Sequence, residues 1–213
     1  TRWATHGVPS TKNAHPQDSG NSIFVVHNGI IENHENLRKK LSKEGFKFKS
    51  DTDTEVISHL VNLYKTKGYD FDSAVMRTIA ELKGAYALGI IDLENPDLVI
   101  GAREHSPLVV GEGIEENFIA SDVMALSQVT NKFKFLQDGQ IALIGSDKIQ
   151  IMSKNGTAKK IPTQEIDSNS FTNDLAGYSH FMEKEIFEQP KALQDALQGR
   201  VNSEGTQEGI FGA

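Results

Sequence analysis

The sequence predicts an α+β protein in which helices sandwich stacked, mostly antiparallel sheets. Two observations carry this. Between Asn33 and Lys83 apolar residues recur at helical spacing, whereas from Ala85 to Ile161 the pattern changes to short strands separated by turn signals. Helical patterning returns only after Gly177. Strand following strand without crossover helices calls for antiparallel pairing, and the grouped helices must then lie outside the sheets.

Thr1–Asp18 shows no sustained periodicity and reads as a short strand at Arg2–Ala4 entering a long loop. Ser22–His27 is strand-like and apolar on both faces, as a strand covered on both sides should be. It stops abruptly at Asn28-Gly29. That dipeptide has two readings. Asn-Gly is a strong hairpin signal. Equally, a strand ending there delivers the Asn28 side-chain NH2 and the Gly29 N–H to one place with no Cβ in the way, which is what an oxyanion hole needs. Asn33 is placed to cap a helix running to about Glu44, with Leu37 and Leu41 on one face and Gly45 as the stop. Phe46–Phe48 reads as a brief extended piece. Thr52-Asp53-Thr54-Glu55 has the form of a capping box, and the helix behind it carries Val56, Ile57, Leu60, Val61 and Tyr64 on one face. A third helix from about Asp72 to Lys83 presents Val75, Ile79 and Leu82.

Strands are then expected at Tyr86–Asp92, Leu98–Ala102, Leu108–Gly111, Asn117–Ala120, Phe133–Leu136, Gln140–Ile144, Ile149–Met152 and Thr157–Ile161. A turn at Glu94–Asp97 and a helical patch at Asp122–Ser127 interrupt them, and Asp138-Gly139 and Asn155-Gly156 read as hairpin turns. Ser168–Gly177 is a polar connector. Tyr178–Phe187 and Pro190–Gln198 read as two helical stretches, and the glycine-rich Val201–Ala213 as a mobile tail.

At 213 residues, 38% hydrophobic and 24% charged, the chain can bury a sizeable core and has an ordinary globular composition. No apolar run approaches the roughly 18 residues of a membrane span. The net charge of −7 and the scattered basic residues argue against nucleic acid. With no cysteine, disulfides, thiolate metal sites and a cysteine nucleophile within this chain are excluded. The seven histidines are dispersed, so no metal is expected, and Gly111-Glu112-Gly113 is no phosphate loop, so no cofactor is expected either. Glu55 and His59, four apart, read as a local helical pair. No signal peptide is visible, which makes a cytoplasmic location the default. A start at Thr1 without methionine is that of a processed chain or a fragment.

Three polar clusters sit at the ends of apolar elements: Arg2-Trp3-Ala4-Thr5-His6-Gly7, His27-Asn28-Gly29 and Thr52-Asp53-Thr54. An arginine suits an α-carboxylate through its bidentate fork and an aspartate suits an α-ammonium, so together they would grip a free amino acid. Singly, Arg2 reads equally as a surface charge, Asp53 as a residue opposing a helix dipole, and Trp3 as core.

As a set, TRWATHG, VVHNGIIENHENLR, SDTDTEVISHL, LKGAYAL, SPLVVG, ENFIASD and HFMEKEIFEQP, in this order, resemble the glutamine amidotransferase domain of the glutamine–fructose-6-phosphate aminotransferase family. The resemblance covers nearly all of Thr1–Arg200. TRWATHG and HNG are shared among class II amidotransferases with an N-terminal nucleophile, whereas HFMEKEIFEQP points to the sugar-phosphate enzymes. The resemblance implies a four-layer αββα N-terminal-nucleophile hydrolase, here lacking its opening strand and helix. It implies that residues 1–177 form the amidotransferase domain, and that 178–213 form a helical linker towards a sugar-phosphate isomerase domain of the same protein, homodimeric when complete. It implies L-glutamine as substrate and L-glutamate as product, with the ammonia used to make glucosamine 6-phosphate. By the match, Asn28 and Gly29 correspond to the oxyanion hole and Arg2 to the α-carboxylate grip. Thr5 and His6 correspond to pocket lining, Asp53 to the α-ammonium grip, and Trp3 to the loop covering bound glutamine. The alternatives are a class II amidotransferase of the purine-synthesis type and a non-catalytic amino-acid-binding module.

In that family the nucleophilic cysteine lies upstream of TRWATHG, and no cysteine is present here. The chain by itself is therefore expected not to hydrolyse glutamine. An ammonia-release assay on the purified chain checks this: background turnover is the expected outcome, and sustained turnover contradicts it. Mass spectrometry after an electrophilic glutamine analogue excludes Thr1 as a substitute N-terminal nucleophile unless an adduct appears on it.

Overall fold

The computed structural model describes residues 6–166, 175, 177–197, 201–202 and 205–206. The expected strand at Arg2–Ala4 and most of the connector at Ser168–Gly177 lie outside them. The chain divides into two units, residues 1–170 and 171–213.

The first unit contains β1 (Gln17–Ser19), β2 (Ile23–Ile31), α1 (His34–Lys43), α2 (Glu55–Thr66), α3 (Phe71–Glu81), β3 (Gly84–Asp92), β4 (Val99–Glu104), β5 (Val109–Glu112), β6 (Asn117–Ala120), β7 (Lys132–Phe135), β8 (Gln140–Ile144), β9 (Ile149–Ser153), β10 (Ala158–Lys159) and β11 (Gln164–Glu165). A seven-stranded sheet has the order β1-β2-β3-β4-β8-β9-β10, and a four-stranded sheet the order β11-β7-β5-β6. Every pairing between these strands is antiparallel.

Period-two alternation sorts the core into layers. Tyr86, Leu88 and Ile90 of β3 join Val25, Ile31, Leu60, Val61, Val75 and Ile79 in the cluster shared with the helices. Ala87, between them, joins Leu108, Val110, Ala142, Ile144 and Ile151 in the cluster between the sheets. A third cluster of Val109, Leu126 and Phe133 lies with Val123 of the 3-10 turn Val123–Leu126. Antiparallel sheets stacked under helices make the expected α+β sandwich.

Several local expectations are corrected. Asn33 does not cap α1 with its side chain; it donates instead to the Glu81 carbonyl (2.8 Å) and accepts the Lys83 N–H (3.0 Å), pinning the α1 start to the α3–β3 junction. The brief piece Phe46–Phe48 lies outside the sheets, and its rings flank His59. Asn155-Gly156 does join the paired strands β9 and β10, but Asp138-Gly139 is no hairpin, because β7 and β8 belong to different sheets. Asp138 there accepts the His105 N–H and pairs with Arg103. In the second unit the two expected helical stretches are one helix, α4 (Phe181–Leu197), with Pro190 inside it. In the expected tail, β12 (Val201–Asn202) pairs with β13 (Gly205–Thr206), and the remainder lies outside the described residues.

The expected capping box is replaced by a stronger device. Glu55, 1% exposed, reaches past Thr52 to accept the N–H groups of Lys49 and Ser50 (both 2.7 Å) and the Ser50 hydroxyl (2.7 Å). The expected pairing with His59 is present at 3.4 Å. Burial pushes the Glu55 carboxyl up, but the contacts with His59, Lys49 and Ser50 outweigh it and hold its pKa at about 2. A folded-state pKa below the unfolded one contributes stability present above the unfolded value and lost as pH falls through the folded one. Glu55→Gln is thus expected to destabilise the fold at pH 7 by on the order of 3 kcal/mol. The difference from wild type should vanish between pH 4.5 and 2 in denaturant titrations; a pH-independent difference contradicts the assignment.

Candidate active site

β2 is paired unequally on its two sides. Along β3 it is matched from Ile23↔Asp92 to Ile31↔Gly84, whereas β1 covers only Ile23–Val25. From Val26 onward its other edge meets no strand among the described residues. Asn28-Gly29 therefore neither turns nor ends the strand, contrary to both sequence readings; it sits in mid-strand, beside an open edge. The Glu32 N–H donates to the Lys83 carbonyl on the β3 side (2.9 Å). Strand alternation then sends the N–H groups of Ile31 and Gly29 to the open side. The first is taken by Asp53 Oδ2 at 2.9 Å. The second lies two residues earlier on the same edge.

Gly29 is required there. Its φ is +129°, and a Cβ would stand 2.0 Å from the Ala85 carbonyl oxygen. Successive side chains just before it point to opposite faces. His27 is buried on the helix side, with Nδ1 3.1 Å from Thr54 Oγ1 and 4.0 Å from Asp53 Oδ2. Asn28 is exposed on the other face, where it lines a cleft of about 160 Å³ with His15, Ala87, Leu108, Ile119 and Ser121.

Asp53 is 1% exposed, and its Oδ1 lies 3.8 Å from His6 Nδ1. His6 packs edge-on against His34, whose Nδ1 contacts the Ile31 carbonyl at 2.8 Å. Thr54 Oγ1 is also 3.2 Å from His15 Nε2. A hydroxyl has one proton, so between two imidazoles it donates to one and accepts from the other. The loop bearing Asp53 is held from the helix side by Arg38, which donates to the carbonyls of Ser50 (3.2 Å) and Thr52 (2.9 Å), and by Glu55.

Of the residues expected from sequence, Gly29, His6 and Asp53 gather along the open edge, and Asn28 faces the adjoining cleft. Arg2, Trp3 and Thr5 lie outside the described residues. Asn13, His15 and Arg38 were not singled out from sequence. Asn13 and His15 sit in a stretch without periodicity, and Arg38 reads as a solvated helix charge, so nothing local marks them.

This architecture is shared with amidotransferases of known structure. The glutamine phosphoribosylpyrophosphate amidotransferase from B. subtilis, complexed with ADP and GMP, superposes with a TM-score of 0.60 at 23% identity, covering 72% of this chain and 33% of that one. A glutamine aminotransferase class-II domain protein from Silicibacter pomeroyi superposes at 0.52 with 19% identity, covering 68% and 72%. At such identities the likeness is one of fold alone. The glutamine amidotransferase domain family matches residues 2–128, and the chain belongs to that family. Among particular proteins, it is 48% identical over 208 residues to the glutamine–fructose-6-phosphate aminotransferase (isomerizing) of Acinetobacter baylyi, covering 98% of this chain and 34% of that protein. It is 50% identical over 204 residues to the enzyme of the same name from Escherichia coli K12, covering 95% and 33%. The chain thus spans about one third of the length of these relatives.

Gly29→Ala is expected to cost more than ~2 kcal/mol, since it combines a disfavoured φ with a backbone clash. Gly45→Ala separates the two contributions, because Gly45 also has a positive φ (+93°) but a Cβ there meets nothing within 4 Å. Urea unfolding of both variants checks this; equal losses would show that the close approach to Ala85 adds nothing.

Proposed function

We propose that this chain is the glutamine-hydrolysing domain of an amidotransferase whose ammonia converts fructose 6-phosphate to glucosamine 6-phosphate. The observation that carries this is identity of 48–50% over almost the whole chain to enzymes named glutamine–fructose-6-phosphate aminotransferase (isomerizing). Residues 1–177 form the amidotransferase domain in this reading, and 178–213 lead to a sugar-phosphate isomerase domain. The length of the relatives supports that arrangement, as does the exposed apolar series Met182, Ile186 and Leu193 on α4.

Asp53, His6, Asn28 and Gly29 take roles that suit their positions, and Arg2, Thr5 and Trp3 those that the family resemblance implies. Asp53 receives the substrate's α-ammonium and Arg2 its α-carboxylate, with Thr5 and His6 lining the pocket and Trp3 in the covering loop. A thiolate supplied from outside these 213 residues attacks the side-chain carboxamide carbon. The C=O electron pair moves onto oxygen, where the Asn28 NH2 and the Gly29 N–H stabilise it. Collapse re-forms the carbonyl and breaks the C–N bond, and ammonia leaves carrying the proton taken from the nucleophile. Water then cleaves the thioester and releases glutamate.

Two measurements test the reading. Calorimetry should show L-glutamine and L-glutamate binding to this chain without turnover; absence of binding contradicts the amino-acid site. In the full-length enzyme, Asn28→Ala should raise the barrier by roughly 2.7–4 kcal/mol, lowering kcat by about 10²–10³. Arg2→Lys should chiefly raise KM, because a point charge replaces a fork. A change in KM alone for Asn28→Ala would remove the oxyanion role.

A further inference from the structure

Thr54 stands at the start of α2 but does not cap it. A threonine there ordinarily spends its hydroxyl on an N–H of the first turn. Here the backbone is already helical (φ −64°, ψ −36°), and the side chain makes no such bond. The residue is 1% exposed, and its Oγ1 lies instead between two imidazoles, 3.1 Å from His27 Nδ1 and 3.2 Å from His15 Nε2. The two rings come from separate segments, His27 from mid-β2 and His15 from the loop before β1. His15 lines the cleft that Asn28 also lines. The loop leading to the hydroxyl is held by Arg38, by Glu55 and by Asn13, whose Oδ1 accepts the Asp51 N–H at 2.9 Å.

With its single proton the Thr54 hydroxyl donates to one ring nitrogen and accepts from the other, so the two facing nitrogens carry opposite protonation. Asp53 decides the direction. Its Oδ2 lies 4.0 Å from the same His27 Nδ1, while its Oδ1 faces His6 Nδ1 at 3.8 Å. A carboxylate at that range favours hydrogen on the nitrogen facing it. His27 then donates to Thr54, and Thr54 donates to His15 Nε2, whose ring keeps its hydrogen on Nδ1. An ammonium group on Asp53 offsets the carboxylate's charge and removes the preference. Each ring can then lose its Nδ1 proton to water and gain one at Nε2 while the hydroxyl turns from His15 to His27, with no net charge gained.

We infer that Thr54 is a positioning residue that couples the filling of the α-ammonium site at Asp53 to the hydrogen-bonding state of His15, on the wall of the cleft beside Asn28. The coupling rests on the amino-acid reading of the site; the opposite protonation of the two rings in the free chain does not.

The test is nitrogen-15 NMR of the histidine rings at about pH 8, above the ordinary imidazole range, with glutaramate (L-glutamine without its α-amino group) as the control ligand. In the free chain His27 Nδ1 is expected to carry hydrogen and His15 Nε2 to carry none. L-Glutamine is expected to move hydrogen off His27 Nδ1 and onto His15 Nε2, and glutaramate to leave both unchanged. Thr54→Val, which removes the hydroxyl at nearly constant volume, should abolish the His15 response, and Thr54→Ser should restore it. Should Thr54→Val unfold, the wild-type spectra decide alone. Hydrogen on both facing nitrogens, or on neither, overturns the relay. A His15 that ignores bound L-glutamine, responds equally to glutaramate, or still responds in Thr54→Val overturns the coupling. Failure of the wild-type chain to bind L-glutamine overturns the amino-acid reading and the coupling with it, while the relay stands or falls on the spectrum of the free chain.

Discussion

Where Asp53 accepts the Ile31 N–H, a carboxylate closes one donor on the half of β2 that β1 leaves bare. An exposed strand edge is a template for unwanted pairing, and proteins blunt it with charge or cover. Among the described residues the cover stops at Ile31, and the Gly29 N–H lies two residues before it on the same edge. The bond also fixes the carboxylate relative to that donor, and the surrounding network serves its placement. Arg38 holds the carbonyls of Ser50 and Thr52, Glu55 holds the N–H groups of Lys49 and Ser50, and Asn13 holds Asp51. The loop is thus gripped from Lys49 to Thr52, immediately before the residue it presents.

Two orthogonal directions in a strand explain why successive residues provide different donors. Side chains stand off the sheet while N–H groups lie in its plane. Asn28 therefore projects into the inter-sheet cleft, and the Gly29 N–H projects past the edge. The absence of a Cβ at Gly29 lets β2 and β3 keep register through this point, where any side chain would meet the Ala85 carbonyl.

Elements governed by local physics were legible in the sequence. The apolar stripes of α2 and α3 and the turn between β9 and β10 follow from spacing and turn chemistry alone. Asp138-Gly139 shows where that ends: the dipeptide specifies a reversal, but whether the next strand pairs with the last or joins another sheet is decided by the packing around Ala142 and Ile144. Asn33 shows a related limit, since it abandons the local cap for Glu81 and Lys83, partners that only the fold brings near. At the site, Asn28, Gly29 and Asp53 were identifiable because their motifs are contiguous. Asn13 was not, because its partners are Val8 and Asp51, 38 residues from it in the second case.

The roles proposed for Asn28, Gly29 and Asp53 all require glutamine to lie across the open edge of β2. A crystal structure of this chain with L-glutamate tests it most directly. The prediction is a γ-carboxylate oxygen within ~3 Å of both the Asn28 side-chain nitrogen and the Gly29 backbone nitrogen, with the α-ammonium on Asp53. Glutamate bound with its α-ammonium away from Asp53, or its γ-carboxylate away from Asn28 and Gly29, would contradict it.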